Sequence, residues 1–129
     1  MQYLAIIYND ESLYAGATPE QIAATFEAHG RFGQATREAG VFVGGEGLQG
    51  TNTATTVRVR DGERLLTDGP YAETKEQIGG YYVLDCKDLD DALNWAAQIP
   101  EAKTGAIEVR PIMDYAALEA QAAGAEASA

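Results

Sequence analysis

The chain has 129 residues, with 9 Lys and Arg against 20 Asp and Glu, which gives a formal net charge of −11. A chain of this length favours a single domain with its own core. Its content of 46% hydrophobic and 22% charged residues is typical of a globular protein and excludes a disordered or fibrous class. Because a strongly acidic surface repels phosphate backbones and anionic lipid, we expect neither a nucleic acid nor a membrane as a partner.

The cysteine content and the first residues bear on cellular location. A single cysteine, Cys86, can form neither an internal disulfide nor a thiolate metal cluster. The first ten residues lack the basic start and the long apolar run of a signal sequence. We therefore expect a cytoplasmic protein in which Cys86 is a packed side chain.

The N-terminal part predicts a strand followed by a helix. The apolar run from Tyr3 to Tyr8 predicts a strand that is buried on both faces. Thr18-Pro19-Glu20-Gln21 has the residues of a capping box and predicts a helix from Pro19 to about Ala39, which Gly40 closes. The predicted apolar stripe of this helix comprises Ile22, Phe26, Gly33 and Thr36, with His29 among them.

The middle of the chain predicts a short strand and then a β-hairpin. The strand at 41–43 runs into the glycines of 44–47, which indicate a bulged path. Residues 53–60 alternate as in a strand, and Asp61-Gly62 is a strong hairpin-turn dipeptide that should return the chain antiparallel along 64–67. We expect Val57 and Val59 to face the helices.

The C-terminal part predicts a strand, a helix, a strand and a tail. Residues 78–86 predict a central strand, and Asp88-Leu89-Asp90-Asp91 begins a second helix that Pro100 ends. Residues 105–112 predict the last strand, with Pro111 suited to a sheet edge. These elements define a domain at 1–113, followed by an alanine-rich acidic tail at 114–129. The tail is either a frayed helix or disordered past Ala123.

This order of elements is that of a split βαβ, ferredoxin-like α+β domain with an antiparallel sheet. Both helices should cover one face of the sheet. The open face then carries tyrosines and apolar side chains that require a cover, most simply a second copy of the chain. We therefore expect a homodimer.

Four separated motifs resemble one known family. They are Gly45-Glu46-Gly47-Leu48-Gln49, Ala54-Thr55-Thr56-Val57-Arg58, the stretch Asp68-Gly69-Pro70-Tyr71-Ala72-Glu73-Thr74-Lys75-Glu76 with Gly79-Gly80-Tyr81-Tyr82, and Gly105-Ala106-Ile107-Glu108-Val109-Arg110-Pro111-Ile112. In this order they resemble the DGPF branch of the YCII-related proteins over about residues 2–114. The resemblance implies a dimeric ferredoxin-like α+β barrel with a small-molecule cleft, and no established reaction. Relatives in the wider group are suspected of acid–base chemistry through a His and an Asp.

Two side chains are candidate catalytic residues. His29 is the only histidine and so the first candidate for a base near neutral pH. Its alternatives are a structural histidine between core and rim, or a metal ligand, although no second histidine exists to complete a usual zinc site. Asp68 opens a Gly-Pro turn, where its carboxylate either bonds its own backbone or is held beside Tyr71 for chemistry. We expect no metal and no cofactor.

The candidate ligand-binding residues are basic and aromatic. Arg58, Arg60 and Arg110 alternate with apolar residues and should point to the open sheet face together with Glu108. They either pair with acids across a dimer or hold an anionic ligand. Either Tyr81 or Tyr82 should join them, because adjacent strand residues face oppositely, and Tyr71 lies beside Asp68.

The sequence therefore favours an acid–base site that acts on a small organic acid. The alternative is a non-catalytic dimeric module that binds a ligand or assists in regulation.

Overall fold

A computed structural model of the chain describes residues 1–128 and gives an α+β domain. The strands are β1 (Gln2–Asn9), β2 (Phe42–Gly47), β3 (Thr55–Arg60), β4 (Glu63–Asp68), β5 (Gln77–Asp85) and β6 (Ala106–Pro111). The helices are α1 (Pro19–Glu38), α2 (Leu89–Ala96) and α3 (Tyr115–Ser128), with short 3₁₀ helices at Glu11–Leu13, Thr51–Thr53 and Pro100–Ala102. None of these helices within residues 1–128 has both the length and the apolar character required to cross a membrane.

The main sheet has four strands in the order β2-β5-β1-β6, and all neighbours are antiparallel. With α1 after β1 and α2 after β5, this is the predicted split βαβ arrangement, and the α+β class with an antiparallel sheet is confirmed. Strands β3 and β4 form a separate two-stranded sheet. This hairpin is inserted between β2 and β5, which are themselves neighbours in the main sheet.

The core lies on the helix-covered face of the sheet. In β1 the buried residues alternate with half-buried ones, so Tyr3, Ala5 and Ile7 belong to the core and the intervening side chains do not. Phe32 of α1 and Leu84 of β5 pack with them. The expectation that β1 is buried on both faces is therefore wrong, because the helices cover only one face.

Helix α1 begins and ends as its sequence predicts. Thr18 Oγ1 accepts a hydrogen bond from the Gln21 amide at 3.2 Å, and Gln21 Oε1 accepts one from the Thr18 amide at 2.9 Å. Gly40 follows the helix with φ +71°, a conformation that glycine adopts without steric cost.

The predicted apolar stripe of α1 is correct only in its second half. Gly33 and Thr36 are buried, together with Phe32, which the prediction omitted. Ile22 and Phe26 are exposed, and the Phe26 side chain retains 72% of its accessible surface. The first half of α1 borders cavities instead of packing on the sheet, which is why its apolar residues are not in the core.

The hairpin turn forms where predicted, but the hairpin does not join the main sheet. Asp61 and Gly62 both have positive φ, 53° and 76°, as a two-residue hairpin turn of type I′ requires. Val57 and Val59 are 59% and 62% exposed and do not face the helices, contrary to expectation. Strand alternation separates two sets of side chains, but it does not determine what covers either set.

The start of α2 and the last strand match the prediction, but α2 ends at Ala96, and Pro100 begins the next 3₁₀ helix instead of ending α2. Asp88 caps α2 by accepting a hydrogen bond from the Asp91 amide at 2.8 Å, and β6 with Pro111 is an edge strand. The tail forms helix α3, whose side chains are exposed from Tyr115 to Gly124. The alternative of disorder past Ala123 falls in part on Ala129, which lies outside the described residues. The division at 113 stays a prediction.

Candidate functional site

A cleft of about 780 Å³ lies beside α1, over the C-terminal end of β1 and the adjoining ends of β2 and β5. Its floor is rich in glycine. A Cβ at Gly45 would lie 2.7 Å from the Tyr81 carbonyl oxygen, and one at Gly80 would lie 2.7 Å from the Glu46 carbonyl oxygen, so the strands approach too closely for side chains there. At Gly47 and Gly79 a Cβ would meet no atom within 4 Å. These two glycines therefore leave open volume in the cleft.

One wall of the cleft carries a hydrogen-bonded chain of three polar side chains. His29 projects from α1, Tyr82 from β5, and Glu101 from the 3₁₀ helix that follows α2. The His29 Nδ1 atom lies 2.7 Å from the Tyr82 hydroxyl oxygen, and Nε2 lies 2.7 Å from Glu101 Oε1. Glu101 retains only 8% of its accessible surface. Both ring nitrogens of the single histidine therefore have partners inside the protein.

The surrounding elements position these three residues. Tyr82 is opposite the small Ala5 on β1, and its ring packs against Phe32 with centroids 4.8 Å apart. The backbone of Glu101 is fixed by a hydrogen bond, because its carbonyl oxygen accepts from the Gly105 amide at 2.8 Å. A Cβ at Gly105 would lie 1.9 Å from the Tyr8 carbonyl oxygen, so only glycine lets this segment pass so close to β1.

Burial and charge determine which atoms of Tyr82, His29 and Glu101 carry protons. Burial raises the pKa of Tyr82 above its ordinary value, and the nearby Glu101 charge raises it further. The phenol is therefore protonated, and it donates to His29 Nδ1 when the imidazole is neutral and carries its proton on the other nitrogen. We accordingly assign the histidine proton to Nε2, from which it is donated to Glu101 Oε1. The second oxygen, Oε2 of Glu101, is buried and has no hydrogen-bond partner in the described part of the chain.

The mouth of the cleft is held by a second set of hydrogen bonds. Glu11 accepts the Thr51 amide at Oε1 (2.8 Å) and the Thr51 hydroxyl at Oε2 (2.7 Å), and its own amide donates to Gln77 Oε1 at 3.0 Å. Glu11 thereby ties the start of the hairpin insertion to its end. A smaller cavity of about 450 Å³ adjoins the mouth and shares Tyr14, Phe26 and Glu101 with the cleft.

The charged side chains of the cleft are acidic. Glu11 and Glu101 line it, together with His29, and no lysine or arginine lies among its described lining residues. Glu46 borders the cleft as well, but it pairs with Tyr81, which is opposite Ile6 on the uncovered sheet face. No group of three or more His, Cys, Asp or Glu side chains within residues 1–128 is arranged to hold a metal ion. The cleft therefore offers hydrogen bonds and negative charge.

Comparison with known proteins assigns the family. The YCII-related domain matches residues 1–116. The chain belongs to the YCII-related family. It is 38% identical over 117 residues to an uncharacterised protein of Rhizobium meliloti (strain 1021), a match that covers 89% of this chain and 94% of the relative. Neither finding names a reaction for this YCII-related chain.

The predicted site residues of this YCII-related protein fall into two groups. His29, Tyr81 and Tyr82 border the cleft, although Tyr81 is opposite Ile6 on the uncovered sheet face, while Asp68, Tyr71, Arg58, Arg60 and Arg110 do not border it. Asp68 is exposed at the end of β4. The Arg58 guanidinium carbon lies 5.7 Å from the centre of the Tyr71 ring. The roles predicted for these residues stay predictions, but only three of the eight are brought together.

The expected arginine cluster on the open sheet face does not form in the single chain. Arg58 and Arg60 lie in the separate hairpin and not on that face, because β3 is not part of the main sheet. Arg110 is on the open face, where its Nε donates to Glu108 Oε1 at 3.0 Å and Tyr8 donates to Glu108 Oε2 at 3.0 Å. Arg110 therefore pairs with an acid of its own strand in the YCII-related chain.

Glu101 is not among the residues predicted from the sequence. An acid that follows a helix-ending proline is typical of an exposed turn, so nothing local indicates that Glu101 is buried. The one sequence feature nearby that relates to this burial is Gly105, which has no side chain and so lets the segment after α2 approach β1 closely. A single glycine does not predict which neighbouring residue becomes buried.

Proposed function

We propose that the cleft binds a small organic molecule and that Tyr82, His29 and Glu101 move a proton to and from it. One observation carries this proposal. A histidine is held in the cleft wall by two hydrogen bonds of 2.7 Å, one to a tyrosine hydroxyl and one to a buried carboxylate. A base that is oriented by a buried acid is the usual arrangement for proton transfer near neutral pH.

In the proposed step, the bound molecule gives a proton to the Tyr82 oxygen while the phenol proton passes to His29 Nδ1. The electron pair of the broken bond stays on the bound molecule, and the phenol is regenerated neutral. The imidazolium then formed has its Nε2–H 2.7 Å from the Glu101 carboxylate, which stabilises the new positive charge. The reverse step delivers a proton to the molecule. Tyr82 contacts the molecule in this scheme, His29 stores the proton, and Glu101 is a positioning residue.

A second candidate function is binding without catalysis, either of a ligand or in a regulatory accessory role. It is favoured by the same hydrogen bonds, because a histidine with two internal partners has no free nitrogen for a bound molecule. In that case the three residues stabilise the cleft wall, and no proton is transferred between them and a bound molecule.

Proton exchange measured by NMR separates the two functions. A panel of small carbonyl compounds, including amino ketones, and of organic acids is incubated with the protein in D₂O, and the loss of exchangeable C–H signal is followed. The proposal expects exchange that falls at least tenfold in Tyr82→Phe and in His29→Gln. Tyr8→Phe is the matched control, since it removes a hydroxyl that bonds Glu108 on the opposite face of the sheet. Equal exchange rates in Tyr82→Phe and the parent would contradict the proton transfer.

We further propose that the chain belongs to the DGPF branch of its family, which the motif at 68–76 supports. A cytoplasmic location stays a prediction that is supported by the unpaired, buried Cys86 thiol.

The proposed partner is a second copy of the chain. Leu4, Ile6 and Val83 lie on the sheet face that no helix covers, and they are half-buried. The hairpin exposes Val57 and Val59, although isolated two-stranded hairpins are only marginally stable in water. A homodimer would cover these surfaces. Asp68, Arg58, Arg60 and Tyr71 would then act in a cleft only where the hairpin of a second copy reaches it.

A further inference from the structure

We infer that the ligand of the cleft is a small organic cation, an amine attached to an apolar or aromatic body. This inference rests on the proposed function, because it names the class of molecule that the same cleft takes. It replaces the expectation of an anionic ligand, for which the arginines that would hold it lie outside the cleft.

The charged side chains of the cleft favour a cationic ligand. Glu11 and Glu101 line it without a lysine or arginine among the described lining residues, in a chain of net charge −11. A cleft lined by one sign of charge concentrates ligands of the opposite sign and repels those of the same sign. A carboxylate or phosphate ligand would find no guanidinium or ammonium group there to pair with.

The unpartnered oxygen of Glu101 also favours a cationic ligand. Oε1 accepts from His29, but Oε2 is buried without a hydrogen-bond partner in the part of the chain that the structure describes. Both oxygens of Glu11, in contrast, already accept from Thr51. Buried carboxylate oxygens normally have donors, and an ammonium group supplies three donors with a compensating charge. Glu101 is therefore the residue to which we assign the amine, which reaches Oε2 once the carboxylate rotates toward the cleft, because this oxygen has almost no accessible surface in the single chain.

The apolar residues that line the cleft indicate what the rest of the ligand is like. Ile7, Leu48 and Phe26 contribute apolar surface, and Phe26 is 72% exposed at the mouth. Aromatic faces attract both apolar rings and cations, so a ring near Phe26 and an ammonium near Glu101 use both parts of the cleft. The volume of about 780 Å³ is ample for a molecule of this kind.

Three probes that share one skeleton test the charge preference on the unmodified protein. They are 2-phenylethylamine, 2-phenylethanol and phenylacetate, which at about pH 7 are a cation, a neutral molecule and an anion. Calorimetric titration at constant ionic strength should give the amine at least tenfold tighter binding than phenylacetate, with the alcohol between them. Raising the salt concentration should weaken the binding of the amine more than that of the alcohol. Equal or tighter binding of phenylacetate would overturn the inference, as would the absence of binding by all three probes.

Two substitutions then locate the binding. Glu101→Gln keeps the shape of the side chain and removes its charge, so amine affinity should fall at least tenfold while alcohol affinity changes less than about twofold. Glu108→Gln, on the opposite sheet face, is the matched control and should change neither affinity. Gly47→Val places a side chain in the open volume and should weaken amine and alcohol alike. Unchanged amine affinity in either Glu101→Gln or Gly47→Val would show that the amine binds elsewhere.

The outcomes for this inference and for the proposed function are distinct. Amine binding in the cleft without any proton exchange would overturn the proton transfer and leave the ligand class standing. Proton exchange that depends on His29 but occurs only with anionic compounds would overturn the ligand class and leave the proton transfer standing.

Discussion

At the scale of single residues, Tyr82 connects the core to the cleft. Its ring packs on Phe32 while its hydroxyl donates to His29, so one side chain is both a packing element and a polar group. Burial and the Glu101 charge raise its pKa. Because the folded state favours the neutral phenol, the contribution of Tyr82 to stability is complete below the ordinary tyrosine pKa of about 10.

The stability of the protein should therefore fall as the pH rises through the raised pKa of Tyr82. Urea unfolding at about pH 8 and about pH 11 should show this loss, and Tyr82→Phe should show a smaller loss than the parent. Tyr71→Phe is the matched control, since that ring is 83% exposed and folding changes its surroundings little. An identical loss in Tyr82→Phe and the parent would contradict the assignment of this pH dependence to Tyr82.

Asp68 is the predicted catalytic residue that does not line the cleft of the single chain. Its turn was predicted to hold a carboxylate beside a cleft, yet the cleft is formed by other elements. Asp68→Asn keeps an oxygen acceptor and the turn propensity, so the free energy of unfolding should change by no more than about 1 kcal/mol. The affinity for 2-phenylethylamine should stay within twofold of the parent. A tenfold loss would indicate that the hairpin, from the same or a second copy, reaches the cleft.

At the scale of elements, the ends of helices and turns were predictable because they depend on adjacent residues. The capping box of α1, the positive φ of Gly40 and the Asp61-Gly62 turn all follow from local sequence. The layer to which an element belongs depends on distant contacts. The alternation in β3 therefore predicted a strand correctly, but the prediction that Val57 and Val59 face the helices was wrong.

The capping box offers a direct test of this local control. Thr18→Ala removes the acceptor for the Gln21 amide and should destabilise the protein by about 1 kcal/mol. Thr18→Ser retains a hydroxyl at the same position and should cost only a few tenths of that value. Thermal unfolding measures both changes as differences in Tm. Equal Tm values for Thr18→Ala and the parent would show that the box contributes nothing to stability.

The candidate site was predictable only in part for the same reason. His29 is found at once because it is the only histidine. The alternation of β5 puts Tyr81 and Tyr82 on opposite faces but does not tell which one joins His29, and Tyr82 lies opposite Ala5 on the helix-covered face and not with the arginines. Glu101 is 72 residues further along the chain from His29, and their contact depends on how the segment after α2 packs under β1. No local pattern carries that information.

At the scale of the whole molecule, the uncovered sheet face and the exposed hairpin predict self-association. Light scattering at micromolar concentration should give about twice the 13.7 kDa of one chain. Replacing Val57 and Val59 with threonine keeps the strand propensity of β3 and should weaken a dimer that buries them. A mass of one chain for the parent protein would contradict the homodimer.

The position of the hairpin in the topology has a consequence for variation within the family. Strands β2 and β5 are hydrogen-bonded neighbours, so the sheet can close with a connection of a few residues in place of 49–76. The length and composition of this insertion are therefore independent of the register of the sheet. Its two ends, at Gly50, Asn52 and Gln77, nevertheless lie at the mouth of the cleft. Exchange of this one segment between relatives would change the entrance and leave the wall of His29, Tyr82 and Glu101 in place. Relatives that differ only in this insertion would therefore differ in which molecules the entrance admits, while the main sheet stays the same.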